Sequence, residues 1–218
     1  MVDELVAYLV HELRTPLTVM LGYASLLEDA GTANLEWVQA LMRSATDLDR
    51  RLSTLADVRR AGHGALDLDL ETVDVAELVQ TVVSDVEAQL APHPVEVRAV
   101  EAAHCRGDWS RLRQAVMNLL TNAAKFSDAT EPIDVEVRRE NGCVDVVVRD
   151  RGPGVPPARR PELFRRFARL GSRHKGMGVG LYLVQSIARA HGGEARYEDA
   201  DGGGARFSIR VPALETSR

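Results

Sequence analysis

Two cysteines, no basic excess and no long apolar run exclude several classes of protein before any motif is read. Cys105 and Cys143 lack metal-ligand spacing and are too few for a disulfide framework, so both are expected to be structural thiols in a reducing, cytoplasmic setting. A net charge of -5 argues against a nucleic-acid binder, which would carry a basic surplus on at least one domain. The longest apolar stretch, Leu17 to Leu27, is broken by Thr18, Gly22 and Ser25 and falls short of the ~20 residues that a membrane span needs. No membrane contact is expected from it. Asp3-Glu4 replaces the basic start of a secretory signal. The histidines His63, His93, His104, His174 and His191 fall in expected connections or at a helix end, with no pair spaced to share an ion.

What is present is enough apolar side chain, 45% of 218 residues, for a real core divided between two units. Apolar residues recur at three- and four-residue steps from Met1 to about Asp29 and from about Asn34 to Arg60, which predicts two amphipathic helices. Val38, Leu41, Ala45, Leu48, Leu52 and Leu55 form the seam of the second; Leu9, Leu13, Leu17, Met20, Ala24 and Leu27 form the stripe of the first. The break Asp29-Ala30-Gly31-Thr32 joins them as an antiparallel hairpin. One hairpin of that size cannot cover both stripes, so two chains are expected to make a four-helix bundle.

Beyond Gly62 and Gly64 the pattern changes to mixed α and β. Thr72 or Asp74 caps a helix to about Leu90, Val95 to Val100 alternates as a strand, and Asp108 or Ser110 opens a helix to about Phe126. Ile133 to Arg138 and Val144 to Arg149 are strands joined through the turn pair Asn141-Gly142. A long irregular stretch from Asp150 to about Gly178 suggests a lid. A helix to Ala190 and strands near 194–198 and 205–211 close the chain.

Several constellations carry chemistry. His11 lies off the first helix's apolar stripe and beside Glu12, so its imidazole can attack an electrophile while the carboxylate orients it or takes its proton. Thr15 stands four residues on, on the same helical patch, and Pro16 removes a backbone donor, which should loosen the helix there. Asn118, Asn122 and Lys125 form a polar stripe opposite Leu112, Val116, Leu119, Ala123 and Phe126. Amide oxygens can complete a magnesium shell and an ammonium can meet a phosphate, although a solvated face reads equally well. Asp150, at a strand end, leads into Gly152 and Gly154: either an acceptor for an exocyclic amine beside a tight turn, or the turn alone. Gly176, Gly178 and Gly180 open a helix whose backbone donors could take anions, or serve only as a hinge. The motif lacks the Lys-Ser/Thr of a P-loop and does not follow a strand as a dinucleotide fingerprint would.

Taken in order, His-Glu-Leu-Arg-Thr-Pro, Asn-Leu-Leu-Thr-Asn-Ala-Ala-Lys-Phe, Asp-x-Gly-x-Gly, the pair Phe164 and Phe167, and Gly-x-Gly-x-Gly resemble the H, N, G1, F and G2 boxes of bacterial two-component sensor histidine kinases. The resemblance implies an α+β chain: a helical hairpin forming a dimeric four-helix bundle at 1–62, a linker at 63–71, and an α/β sandwich ATP-binding domain of the Bergerat (GHKL) type at 72–214. It implies ATP and Mg2+ as cofactors and a homodimer whose partner is a response regulator receiver domain. By the same resemblance His11 is the phosphorylated residue and Glu12 assists proton transfer. Asn122 binds magnesium, with Asn118 and Lys125 near the phosphates. Asp150 reads adenine, Gly152 and Gly154 admit the base, Gly176, Gly178 and Gly180 line the phosphates, and Phe164 and Phe167 anchor the lid. Thr15 matches a position implicated in phosphatase action toward the regulator. Departures are slight: Val179 stands in place of leucine, and Ala205 where many members carry a hydroxyl. Only ten residues precede His11, too few for a sensory module, so the expectation is either an excised catalytic core or an input from another chain. Two other readings remain at this stage: an adaptor with a degenerate nucleotide domain, and an ATPase of the gyrase or chaperone kind.

Overall fold

The computed structural model describes residues 2–30, 34–62, 66–100, 103–128, 130–168 and 177–215, with the backbone alone at 2–9, 11, 12, 29 and 30. The chain divides into two compact units near Arg60 and Ala61. The first is a helical hairpin of α1 (Val2–Ala30) and α2 (Leu35–Gly62). Asn34 starts α2 by accepting from the backbone N–H groups of Glu36 and Trp37 at 3.0 and 3.3 Å, the bonding of an N-cap. α1 runs through Pro16, which supplies no backbone donor to it. The expected apolar seams are only partly covered in the single chain: Leu17 is 45% and Leu52 49% exposed, while Leu13, Met20, Leu27, Leu41, Leu48 and Leu55 are half-buried.

The second unit begins with a strap. Leu66 packs against the core, and the Asp69 N–H donates to Asp108 Oδ2 at 3.1 Å. Strand β1 (Glu71–Asp74) then pairs antiparallel with β3 (His104–Gly107). Neither was expected, and His104 sits in a strand rather than a connection. Asp74 ends β1 and caps α3 (Val75–Leu90), accepting from the N–H groups of Ala76 and Glu77. The main sheet has five strands in the order β2 (Val95–Ala99), β4 (Ile133–Glu140), β5 (Cys143–Arg149), β7 (Ala205–Pro212), β6 (Glu194–Asp199). β2 runs parallel to β4, and the connection between them carries β3 and α4 (Trp109–Phe126); the other neighbours are antiparallel. Asn141 and Gly142, at φ 52 and 72, make the two-residue turn between β4 and β5. A 3-10 helix, Pro157–Glu162, occupies part of the stretch read as irregular, and α5 (Gly180–Ala190) follows.

Alternation along the strands sorts the sheet into two faces. Val144, Val146 and Val148 of β5 point into a core shared with α3, α4 and α5, where Leu78, Leu119, Leu120 and Ile187 are almost wholly buried. Burying one such side chain fully is worth about 1.5–3 kcal/mol, so the layer of helices is held mainly by this face. The other face is polar. There Asp145, 2% exposed, receives Arg210 through two bonds of 2.6 Å, with Arg138 at 3.4 Å. Burial raises the Asp145 carboxyl, but the two guanidinium groups outweigh it and hold the group below the ordinary carboxylate range.

His191 follows the last residue of α5, at the helix end expected from the sequence. It is buried at the end of α5, its Nδ1 2.8 Å from the Ile187 carbonyl and its Nε2 accepting the Asp108 N–H at 3.0 Å. That bonding fixes the Nδ1–H tautomer and ties the end of α5 to the start of α4, where Asp108 also caps Arg111.

Candidate nucleotide site

Helix α4 is amphipathic for the reason its sequence gives. Leu112, Val116, Leu119 and Ala123 are buried, which turns Asn118, Asn122 and Lys125 to the opposite side. Phe126, expected on the apolar stripe, is only half-buried; the Lys125 ammonium lies 4.9 Å from its ring centre. The side-chain amides of Asn118 and Asn122 make no hydrogen bond to the described residues. Helix propensity disfavours asparagine, so two unpaired amides on one face need another partner.

The start of α5 lies beside them. A side-chain carbon added at Gly180 would sit 3.6 Å from both Asn118 Oδ1 and Asn122 Nδ2. Val179 precedes the helix and supplies no side-chain cap, and the first intrahelical bond is the Leu183 N–H to the Val179 carbonyl at 2.9 Å. The backbone N–H groups of Gly180, Leu181 and Tyr182 therefore lack intrahelical acceptors at the positive end of the helix, an arrangement that suits an anion. Gly178 has φ 66, and a Cβ there would lie 2.5 Å from the Ala168 carbonyl oxygen. The glycine thus lets the chain after Phe167 pass close to the helix start. Phe167 itself has φ 63, a left-handed conformation uncommon for an aromatic residue, and Arg166 stacks over its ring at 5.4 Å. Phe164 packs against the core. Gly176 lies outside the described residues.

Asp150 closes the other end of the site. It is 4% exposed, and its Oδ1 accepts from the Gly152 N–H at 2.9 Å and the Ala205 N–H at 3.0 Å. Oδ2 has no partner among the described residues, so one lone-pair-bearing oxygen is left for a donor. Burial raises the Asp150 carboxyl above its ordinary value, and the two backbone donors oppose that rise. Gly152 is needed for a reason the motif did not reveal: a Cβ would lie 2.4 Å from the Phe126 carbonyl oxygen, so the turn rests on the end of α4. Gly204, at φ 92, was not singled out from the sequence. A Cβ there would meet the Asp150 carbonyl oxygen at 2.0 Å, and the turn between β6 and β7 therefore closes over the Asp150 segment.

The structure thus brings Asn118, Asn122, Gly180, Gly178 and the Phe167 segment together, and joins the Asp150 turn to the same helix through Phe126. The hairpin carries the remaining residues. His11, Glu12 and Thr15 are in consecutive turns of α1, and Thr15 is exposed; the side chains of His11 and Glu12 lie outside the described set. No group of three or more His, Cys, Asp or Glu among the described residues could hold a metal. A divalent ion at α4 would rely on the asparagine oxygens together with phosphate and water, a donor set that suits magnesium.

Comparison with known families agrees with this geometry. Residues 107–215 match the model described as histidine kinase-, DNA gyrase B- and HSP90-like ATPase, and residues 1–64 match the His kinase A phospho-acceptor domain. The chain therefore belongs to the sensor histidine kinases. It is 35% identical to the signal transduction histidine-protein kinase AfsQ2 of Streptomyces coelicolor over 95% of its own length, and 35% identical to the sensor histidine kinase TrcS of Mycobacterium tuberculosis over 94%. It spans 41% and 42% of those two proteins. The structure of full-length ShkA in complex with AMPPNP superposes with a TM-score of 0.70 at 28% identity, covering 99% of this chain and 47% of that one. No helix among the described residues is long and apolar enough to cross a membrane.

Proposed function

We propose that this chain is an ATP-dependent protein histidine kinase that phosphorylates its own His11 and passes the phosphoryl group to an aspartate on a response regulator receiver domain. The observation that supports this reading best is the meeting of two unpaired amides, Asn118 and Asn122, with the uncapped start of α5 in one domain that also presents an unused Asp150 oxygen. An adenine amine would donate to Asp150 Oδ2. The triphosphate would accept from the N–H groups of Gly180, Leu181 and Tyr182, with Gly176 and Gly178 shaping their approach and Lys125 adding charge. Magnesium, held through Asn122 and the phosphates, would offset charge on the transferring group. Gly152 and Gly154 would let the base approach, and Phe164 and Phe167 would anchor the lid.

In the transfer step the imidazole nitrogen of His11 forms a bond to the γ-phosphorus as the bond to the bridging oxygen breaks and ADP leaves. Glu12 takes the imidazole proton. A carboxylate oxygen of the regulator then attacks the phosphohistidine, and the imidazole is the leaving group. The catalytic work is positioning and charge neutralisation. Residues 1–62 act as phosphotransfer domain, 63–71 as linker and 72–214 as ATP domain, facing the cytoplasm where ATP is available. The partly open seams of α1 and α2 are covered by a second copy, giving the dimeric bundle, and Thr15 serves a regulator phosphatase activity. Incubation with γ-labelled ATP and magnesium tests the proposal, with acid-labile, alkali-stable label expected on wild type and absent from His11→Gln and Asn122→Ala. Bound ATP without label on wild type would leave an adaptor, and phosphate release without label an ATPase.

A further inference from the structure

Val155 directly follows the Asp150–Gly154 turn, and side chains hold both of its backbone polar groups. Its N–H donates to Tyr197 Oη at 3.2 Å, and its carbonyl accepts from Arg160 Nε at 3.1 Å. Asp199 closes the ring: its Oδ1 accepts from Tyr197 Oη and from Arg160 Nη2, each at 2.7 Å. The Arg160 guanidinium also lies 5.4 Å from the Tyr197 ring centre, and that ring rests against Phe207 at 5.3 Å. Phe164 and Arg160 line a cavity of about 500 Å³ alongside Tyr197 and Asp199. Thus the 3-10 helix after the turn and the edge strand β6 converge on one residue.

An ion pair as exposed as Arg160 and Asp199 contributes little to stability by itself. The arrangement instead fixes a peptide. Asp150 Oδ1 accepts from Ala205 at one end of the β6–β7 turn, while Asp199 stands directly opposite Ala205 in the strand register. The purine side of the site is therefore tied to the β6–β7 hairpin twice, once through Asp150 and once through Val155. We infer that Arg160, Tyr197 and Asp199 form a latch that holds the Asp150–Gly154 turn in its nucleotide-binding position. They are positioning residues, and the inference rests on the reading of that turn as the ATP site. The Tyr197 hydroxyl suits the task because it accepts from Val155 while donating to Asp199, a polarised chain. Burial and then the Asp199 bond push its phenol pKa up, which keeps that proton in place near neutral pH.

ADP titration calorimetry on this chain tests the latch. Tyr197→Phe keeps the ring and removes both hydrogen bonds, and Asp199→Ala removes the oxygen that accepts from both Tyr197 and Arg160. Each should weaken ADP binding by about three- to tenfold, mainly through faster release, and leave the nucleotide-free melting temperature within about 3 °C of wild type. Arg196→Gln is the control, since Arg196 lines the same cavity but pairs with Glu194. It should bind ADP as wild type does. The latch is overturned if Tyr197→Phe binds ADP normally, if its loss of affinity is matched by a loss of stability, or if Arg196→Gln weakens binding equally. Wild-type binding abolished by Asp150→Asn but untouched by Tyr197→Phe removes the latch and keeps the ATP site. A wild type that binds no ADP, or an Asp150→Asn variant that binds it fully, removes both.

Discussion

Exchanging Asp150 for asparagine separates recognition from stability. The amide oxygen can still accept from Gly152 and Ala205 as Oδ1 does, so the turn keeps its two internal bonds. The amide nitrogen then occupies the place of Oδ2, where it would meet the adenine amine of the proposed site donor to donor. A hydrogen bond to a charged acceptor contributes about 1.5–3 kcal/mol, so ADP affinity should fall about 10- to 150-fold. Stability moves the other way. Burial lifts the carboxyl above 3.8, its unperturbed value, so the folded state holds this proton more tightly than the unfolded one. Stability contributed by that proton is present at low pH and is lost as pH climbs from 3.8 through the raised folded value. Near neutral pH the wild type bears the cost of a buried carboxylate that the amide does not. The nucleotide-free variant should therefore melt at or above the wild-type temperature, with the gap closing as pH falls toward 3.8. Titration calorimetry and thermal unfolding across pH measure both effects. ADP binding within about threefold of wild type would refute the recognition argument, and a large drop in melting temperature near neutral pH would refute the linkage argument.

Asp145→Asn should act oppositely. Removing one partner of a buried ion pair costs about 3–5 kcal/mol, and the partial exposure of Arg138 brings the expected loss to the lower end of that range. Because the folded Asp145 pKa is depressed, its contribution is full above 3.8 and fades as pH falls through the folded value, so urea unfolding of the variant should show a flatter acid limb than wild type. An unchanged limb would count against the pairing. Burial pushes the Cys105 thiol up to about 11, so maleimide on the native protein should label the half-buried Cys143 and leave Cys105 intact until unfolding. Equal labelling of both would show that the β3 region opens readily.

Signals that act over a few residues were readable from the sequence. Asp74 and Asp108 cap the helices they precede, Asn141-Gly142 turns the hairpin, and the apolar spacing of α4 fixes which way Asn118 and Asn122 face. What escaped depends on distance along the chain. β1 and β3 are four residues each, too short to show alternation, and each is a strand only because it pairs with the other some thirty residues away. His191 stands at the helix end where it was expected, but its burial escaped because its partner, the Asp108 N–H, is eighty-three residues upstream. Gly204 gave no motif because the backbone it must clear belongs to Asp150, and Val155 gave none because its grip comes from Tyr197 and Arg160. In the long stretch after Asp150, Pro156 and Pro157 masked the start of a 3-10 helix, whose first turn tolerates missing donors.

The order of the sheet leaves β2 and β6 as its two borders. A border strand offers unpaired peptide groups to any passing chain, and proteins blunt that danger with charge. β6 alternates Glu194, Arg196 and Glu198 along one side, while Arg160 reaches over Tyr197 and Asp199 at its far end. β2 carries Glu96 and Arg98. A second copy approaching border to border would have to strip water from these ions for a short ribbon of peptide bonds. Self-association through sheet extension is thereby discouraged, and the apolar seams of α1 and α2 offer copies of the chain a better place to meet, far along the sequence from the surface that must remain clear for nucleotide.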